Sequence, residues 1–271
     1  MVKIIPIDHL FPYIGGKKAL RPHIVPMIPG GISTYVEPFF GGGAIYFARE
    51  RWAPCEIIND INDEIINLYR VVKEYGEQFA HEFNFVFSSR SFFNRLKSIT
   101  PPLTNHQYFQ AFRTLYLLNF CFGARIVNPS YAPGNLSTVE NIQSRIIAIS
   151  KRLQKTNIEC LDYSILLERY NKPDTFFYLD PPYFETEHYY AAGSFDHGKL
   201  AELLKKSKAR WILSYNDCPE ICELYKDFKQ KTFSRRCSLN NRNAKDFGEL
   251  IVWNYDEQVA QSTLTDLFPE E

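Results

Sequence analysis

The sequence has no surplus of either charge: Lys and Arg together number 31, and so do Asp and Glu. That balance excludes a uniformly basic surface, although a basic face on a neutral protein is still compatible with nucleic acid. The six cysteines, at 55, 121, 160, 218, 222 and 237, form no Cys-x-x-Cys pair. The nearest two, Cys218 and Cys222, have no histidine cluster beside them, so neither a zinc site nor any other metal is expected. Scattered cysteines, several in apolar runs, fit buried thiols in a reducing cytosol. Met1 to Leu10 lacks the apolar core of a signal peptide. The longest apolar stretch, Leu115 to Ala124, is interrupted by Asn119 and is too short to span a bilayer. Neither a GxGxxG nor a P-loop pattern occurs. The acidic string Asp60-Ile61-Asn62-Asp63-Glu64 lacks the glycine and spacing of a calcium loop. A soluble, cytoplasmic chain without internal repeats is expected.

Apolar residues make up 45% of the 271, enough for one large domain or one domain with an insertion. The most informative stretch is Phe176-Phe177-Tyr178-Leu179-Asp180-Pro181-Pro182-Tyr183. Its apolar half reads as a buried strand. The prolines have no N–H for a sheet ladder, so the strand stops there and projects a carboxylate, a carbonyl-rich turn and a ring. Asp180 and the Pro181 carbonyl could accept the two N–H groups of an exocyclic amine, with Tyr183 stacked on its heterocycle. The four residues alone fit an ordinary Pro-Pro turn equally well.

Other strand ends bear on the choice. Thr34-Tyr35-Val36 reads as a strand, Glu37-Pro38-Phe39-Phe40-Gly41-Gly42-Gly43-Ala44 as a turn, and Ile45 to Trp52 as a helix. Glycines allow close backbone approach and a helix N-terminus is electropositive, so an amino-acid carboxylate fits there. Glu56 to Asn59 reads as a second strand, closed by Asp60 in position to accept ribose hydroxyls, with a helix from Ile61 to Val72. Asn157 to Leu161 is a third, closed by Asp162 and Tyr163. Before all of these, Phe11 to Lys17 contains a Gly15-Gly16 turn, with Tyr13 placed to pack on a ligand, Lys17 to face an anion, and a helix from Lys17 to about Met27. Strands at Arg210–Ser214, Lys231–Ser234 and Glu249–Tyr255 follow, the last two flanking a basic loop, 235–246.

Residues 75–152 differ in texture. Aromatics alternate with Arg90, Arg95, Arg113 and Arg125 in helical periodicity, and a polar loop or hairpin lies near 122–137. This reads as an inserted helical unit. Its stripe suits nucleic acid, although such stripes are more often a core with snorkelling arginines.

All the notable residues fall on one carboxyl edge of a parallel sheet, where α/β folds bind ligands. S-adenosylmethionine has the matching shape: amino acid at the glycine turn, ribose at Asp60, base near Tyr163, reactive centre facing Asp180. On Tyr13-Ile14-Gly15-Gly16-Lys17, Glu37-Pro38-Phe39-Phe40-Gly41-Gly42-Gly43, Asn59-Asp60-Ile61-Asn62 and Asp180-Pro181-Pro182-Tyr183, in that order, the chain resembles the D12 class of Dam-like DNA adenine-N6 methyltransferases across nearly its whole length. The resemblance implies a Rossmann-like class I methyltransferase fold, α/β, with a mostly parallel sheet and a C-terminal antiparallel strand. It implies a catalytic domain, 1–74 with 153–271, and a target-recognition domain inserted at 75–152. It implies S-adenosylmethionine held by Tyr13, Gly15, Gly16, Lys17, Glu37, Pro38, Phe39, Gly41, Gly43, Asp60, Ile61, Asp162, Tyr163 and Asp180. Asp180, Pro181, Pro182 and Tyr183 would be catalytic, acting on an adenine flipped out of double-stranded DNA.

Candidate DNA contacts are Arg90, Arg95, Arg113, Arg125 and Asn128 in the insert, and Arg235, Arg236, Arg242 and Lys245 in the basic loop. Relatives that read GATC have Leu-Asn-Arg where this chain has Leu118-Asn119-Phe120, and one more residue before the equivalent of Arg125; both departures count against GATC. The tail Gln261-Ser262-Thr263-Leu264-Thr265-Asp266-Leu267-Phe268 resembles peptides that bind sliding clamps, or packs back on the domain. A monomer or weak dimer in a bacterial or phage setting is expected. The rivals are a cytosine-N4, RNA adenine or protein glutamine methyltransferase, a silent DNA-binding module of the same fold, and a non-methylating nucleotide-binding enzyme.

Overall fold

The computed structural model describes residues 7, 9–12, 17–84, 86–99, 106–122, 128–133, 136–184, 195–235 and 247–256, with 136–140, 234–235 and 247 described by backbone alone. Tyr13, Gly15, Gly16, Arg125, Arg236, Arg242, Lys245, the Arg235 side chain and the tail 261–268 lie outside these residues.

Seven strands form one sheet in the order β3-β2-β1-β4-β5-β7-β6. They are β1 Thr34–Glu37, β2 Cys55–Asn59, β3 Thr156–Glu159, β4 Thr175–Leu179, β5 Arg210–Asn216, β6 Lys229–Arg235 and β7 Phe247–Trp253. The first five pair in parallel, and β7 enters antiparallel between β5 and β6. The α/β class and the antiparallel C-terminal strand expected from the sequence are both present. Alternation along each strand divides the core. Tyr35, Ile58, Phe176, Tyr178, Ile212, Ile251 and Trp253 face one side, while Val36, Ile57, Phe177, Leu179, Leu213, Leu250 and Val252 face the other. Every residue of β4 is buried, as its unbroken apolar run requires of a central parallel strand.

The helices are α1 Arg21–Ile24, α2 Asp63–His81, α3 Arg90–Lys97, α4 Gln107–Asn119, α5 Leu136–Leu153, α6 Tyr163–Arg169, α7 His197–Lys205 and α8 Pro219–Leu224. Helices α2 to α5 fill the connection from β2 to β3. In α2, Ile65, Leu68, Tyr69, Val72 and Phe79 recur at helical spacing and pack with Ala111, Leu115 and Leu118 of α4 and Ile142, Ile146 and Ile149 of α5. Helix α2 starts at the Asn62 cap, whose Oδ1 accepts the amides of Glu64 and Ile65. It runs well beyond the expected Val72. Residue 75 lies inside it at a kink, with Tyr75 at φ −119°, ψ 25°. Helices α3 and α4 add a smaller cluster around Phe93, Leu96, Tyr116 and Phe120. A hairpin stem follows α4, with Cys121 bridged to Tyr131 and the Phe122 amide donating to the Ser130 carbonyl at 2.7 Å.

Two expected helices are not formed. The stretch from Lys17 to Met27 is a 3-10 turn, the single turn of α1, and another 3-10 turn. Pro22 and Pro26 interrupt its amide ladder and restrict the residues before them. Ile45 to Trp52 holds only a 3-10 turn at Tyr46–Ala48, and Arg49 is extended at φ −131°. Ile45, Tyr46, Phe47 and Trp52 are all buried while Glu50 and Arg51 are exposed, and the chain turns extended at Arg49 so that Trp52 returns to the core.

A buried ion pair joins α5 to the sheet. Arg152 donates from Nη1 to Glu56 Oε2 at 2.6 Å and from Nη2 to Oε1 at 2.8 Å, with its guanidinium 3.9 Å over the Tyr46 ring. Arg152 Nε also donates to the Arg49 carbonyl, and the Trp52 amide donates to Glu56. Two-pronged pairing with every remaining group bonded is the arrangement in which a buried pair offsets its desolvation. Arg152→Met leaves the Glu56 carboxylate buried without its cation, and urea denaturation is expected to show a loss of about 3–5 kcal/mol. The double substitution Arg152→Met with Glu56→Met is expected to lose less than Arg152→Met alone.

Candidate functional site

Strands β2, β1 and β4 lie side by side in parallel, so the segments leaving their carboxyl ends meet. Asn59, fully buried at the end of β2, ties its own segment to those leaving β1 and β3. Its Nδ2 donates to the carbonyls of Pro38 at 2.9 Å and Leu161 at 3.0 Å, and its Oδ1 accepts the Leu161 amide. Asp60 follows, with Oδ2 accepting the Gly41 amide at 2.9 Å and Oδ1 the Asn62 amide at 3.0 Å. Burial pushes the Asp60 carboxyl up, and these backbone donors partly oppose that. The turn they hold needs glycine. Gly41 and Gly43 have φ of 47° and 65°, and a Cβ at Gly43 would lie 2.6 Å from the rings of Phe40 and Phe47. No helix follows this turn, so the electropositive helix end expected there is absent; any carboxylate of a ligand must be met by backbone amides or side chains instead.

Next to the turn stands an aromatic wall. The rings of Phe39, Tyr163 and Phe195 have centroids 5.3 to 5.6 Å apart. Ile61, just past the end of β2, is 53% exposed. Asp162 caps α6 through the Ser164 amide at 2.9 Å. Burial raises its carboxyl, but the Ser164 donors and Lys199 outweigh that and hold it below the usual range. Apolar rings, an exposed aliphatic side chain and carboxylates at a strand edge together suit a purine with its ribose. Of the expected cofactor residues, the structure brings Glu37, Pro38, Phe39, Gly41, Gly43, Asp60, Ile61, Asp162, Tyr163 and Asp180 to this one edge.

The far side of the edge is built from charge. The registers Val36 with Phe177, Leu179 with Leu213, and Asn216 with Glu249 place Glu37, Asp180, Ser214 and Glu249 on the same face of four neighbouring strands. Asp180 Oδ1 accepts Lys17 Nζ at 2.9 Å and Ser214 Oγ at 3.0 Å. Lys17 is only 2% exposed. Its ammonium also lies 3.9 Å from Glu249 Oε2 and 4.5 Å from the Tyr183 ring centroid. The Tyr183 hydroxyl donates to Glu249, and its ring rests 6.0 Å from that of Tyr215. After the two prolines, the Phe184 amide donates to Asn216 Oδ1 at 3.1 Å and fixes the exit of the chain. Burial raises the Asp180 carboxyl, while Lys17 and Ser214 pull it back.

Lys17 was expected to face an anion; the anion it meets is Asp180. Glu249, Ser214 and Asn59 were not singled out from sequence. Glu249 had a readable signal, because it is the only acid in the otherwise apolar strand Phe247 to Trp253 and buried acids are rare. Ser214 had none beyond its position near a strand end, and Asn59 stood only within the string Asn59-Asp60-Ile61-Asn62, without a role of its own.

The expected DNA contacts separate by exposure. Arg90 and Arg95 are exposed, their guanidiniums 4.7 Å over Tyr131 and 5.5 Å over Phe92. Asn128 is exposed at φ 54°. Arg113 does not fit a surface role. It is 8% exposed and is held inside by the Leu96 carbonyl at 2.9 Å and by Glu64 at 3.4 Å, because its position on α4 faces α2 and α3. Two aromatics on this unit stand out in solvent, Phe87 at 68% and Phe122 at 72% exposure.

The Glu37 carboxyl lies behind Asp180 and accepts the Tyr35 hydroxyl at 2.6 Å. Burial lifts it from 4.5 to about 8, with the Tyr35 bond opposing and Asp180 adding to the rise. Between those two values the folded protein holds a proton that the unfolded chain has released. Its contribution to stability is therefore present below about 4.5 and is lost as pH rises towards 8. Thermal melts of the ligand-free protein are expected to show the midpoint falling from pH 6 to pH 8, with a shallower fall in Glu37→Gln.

Residues 13–239 match the family described as D12 class N6 adenine-specific DNA methyltransferase. The chain is 28% identical to the type II methyltransferase M1.LlaDCHI of Lactococcus lactis subsp. cremoris, the alignment covering 90% of this chain and 94% of that one. It is 24% identical to the type II methyltransferase M.CviBI of Paramecium bursaria Chlorella virus NC1A, over 89% and 97% of the two chains. It is 28% identical to the DNA adenine methylase of Haemophilus influenzae, over 89% and 91%. Among the described residues, no helix is long and apolar enough to cross a membrane. With the family covering most of its length, this chain belongs to the D12 class of N6 adenine-specific DNA methyltransferases and is an S-adenosylmethionine-dependent enzyme.

Proposed function

We propose that the enzyme methylates N6 of an adenine flipped out of double-stranded DNA, within a specific sequence, into the site formed by Asp180, Pro181, Pro182 and Tyr183. One observation carries this reading. The Lys17 ammonium, 2.9 Å from Asp180 and 4.5 Å from the Tyr183 ring centroid, marks the place where an amino nitrogen can be bonded by the acid beside the ring. An N6 amine within a stacked duplex cannot reach a carboxylate recessed at a strand end, so the base must leave the stack.

Each residue then has a physical task. Tyr183 stacks on the base. Asp180 accepts one N6–H and the Pro181 carbonyl the other. Pro182 stiffens the turn between them. Two acceptors held at fixed angles draw N6 from planar towards tetrahedral, so that its lone pair points to the side of Gly41 and Asp60. S-adenosylmethionine, when bound, supplies a methyl group on a sulfonium leaving group. Alignment of the reacting atoms provides much of the rate. The Asp180 carboxylate also favours the positive charge that develops on N6 as the N–C bond forms and the C–S bond breaks, and the N6 proton hydrogen-bonded to it then leaves to give the neutral methylamine. Asp60 is suited to ribose, Phe39, Ile61 and Tyr163 to the adenine of the cofactor, and Glu37 to its cationic end.

Helices within 75–152 carry sequence recognition in this reading, supported by the exposure of Arg90, Arg95, Asn128, Phe87 and Phe122. The loop 235–246 adds phosphate contacts. The names of the type II relatives favour a role in restriction-modification, in the cytoplasm. A clamp contact through Gln261–Phe268 is kept as a separate proposal, tested by clamp pull-down with a chain truncated after Tyr255.

Asp180→Ala is expected to lower methyl transfer from tritiated cofactor to DNA of a methylase-deficient host by about a thousandfold or more, with circular dichroism showing the fold retained. Nucleoside analysis of DNA treated with the unaltered enzyme is expected to yield N6-methyladenine; N4-methylcytosine would transfer the site to the rival base. Arg90→Ala is expected to weaken duplex binding and lower its salt slope by about one, without loss of stability. Arg113→Ala is expected to lower stability first, because its guanidinium bonds internal groups.

A further inference from the structure

The place an adenine amino group must take is held by Lys17. Its ammonium sits on Asp180 Oδ1 at 2.9 Å, over the ring that would stack the base. A base stacked on Tyr183 with its amino group on Asp180 would overlap that ammonium, 4.5 Å from the ring centroid, so the nitrogen must shift as the base enters. A buried ammonium cannot withdraw into apolar surroundings without a large desolvation cost, so it needs a second anion close by. Glu249 provides one, 3.9 Å from Lys17 Nζ and 6% exposed on β7. The same carboxylate receives the Tyr183 hydroxyl. It reaches this position only because β7 runs antiparallel beside β5, with Glu249 opposite Asn216.

We propose that Glu249 is a positioning residue for methyl transfer: it takes over the Lys17 ammonium when the incoming base takes Asp180, and it holds the stacking ring of Tyr183 in place. The displacement is short. Lys17 moves by about an ångström towards Glu249 and keeps its charge near Asp180, which stays ionised to receive the N6–H. Base entry thus exchanges one bond at Asp180 for another without leaving any charge in the pocket unpaired. Ser214 keeps its hydrogen bond to Asp180 in both arrangements. The proposal rests on the assignment of Asp180 and Tyr183 to the target base.

A double-mutant cycle tests it. Glu249→Gln keeps an acceptor for the Tyr183 hydroxyl but removes the second anion. Single-turnover transfer from tritiated cofactor into unmethylated DNA is expected to fall about 30-fold, with cofactor affinity within about twofold and the thermal midpoint nearly unchanged. In a Lys17→Met background the same Glu249→Gln change is expected to cost less than about threefold, since there is no ammonium to receive. Equal losses in both backgrounds would mean that Glu249 supports the fold or the Tyr183 ring alone, and would overturn the transfer of Lys17. Should Lys17→Met turn over too slowly to measure, a crystal structure with S-adenosylhomocysteine and a duplex carrying the mapped site decides the matter. Lys17 within hydrogen-bond reach of Glu249 supports the proposal, and Lys17 still on Asp180 refutes it. The two readings fail separately: a wild-type product other than N6-methyladenine defeats the base assignment, whereas an additive cycle with N6-methyladenine as product defeats only the role of Glu249.

Discussion

The organising constraint is the parallel pairing of β2, β1 and β4. Parallel neighbours with matched register must release their chains at one edge, and these three release Asp60, the Glu37–Gly43 turn and Asp180. None of those segments could form a site alone. The Gly41 amide is fixed by the carboxylate that follows β2, and Asn59 binds a carbonyl of the same turn and one that follows β3. Irregular backbone at this edge is thereby hydrogen-bonded rather than loose, as buried polar groups require.

Charge in this region is handled by pairing rather than by solvent. Glu56 and Arg152 satisfy each other between β2 and α5. Around Asp180 the carboxylates of Glu37, Asp180 and Glu249 share a face, and Lys17 supplies an ammonium to two of them. The pH response of Glu37 follows from the same crowding, since burial beside Asp180 favours its neutral form. A chain of zero formal net charge can in this way carry a strongly polarised interior.

Strands were the most legible features. The sequence located β1 to β5 within a residue or two, most directly β4 and β5, whose near-continuous apolar runs reflect burial on both faces. The helices at 17–27 and 45–52 were misread for two different reasons. Pro22 and Pro26 break the amide ladder of the first, and in the second the chain turns extended at Arg49 so that Trp52 joins Ile45, Tyr46 and Phe47 in the core. Arg113 shows the same limit in the other direction. Spacing identified an arginine on a helix, but only the packing of α4 against α2 and α3 decided that it points inward to Leu96 and Glu64.

What the sequence determined by itself was the set of residues at the carboxyl edge. An acid ending a strand, two prolines and an aromatic, or glycines at φ values that other residues avoid, are local requirements and are written locally. What the tertiary structure alone decided was which charges meet. Lys17, Asp180, Ser214 and Glu249 come from four distant parts of the chain, and no local pattern links them. Their meeting depends on strand order, and in particular on β7 entering antiparallel beside β5, which brings the buried acid of the last strand to the ring of Tyr183. Pairing energies between such groups depend on a few ångströms of separation in a dry environment, a quantity set by the assembled sheet rather than by any stretch of sequence.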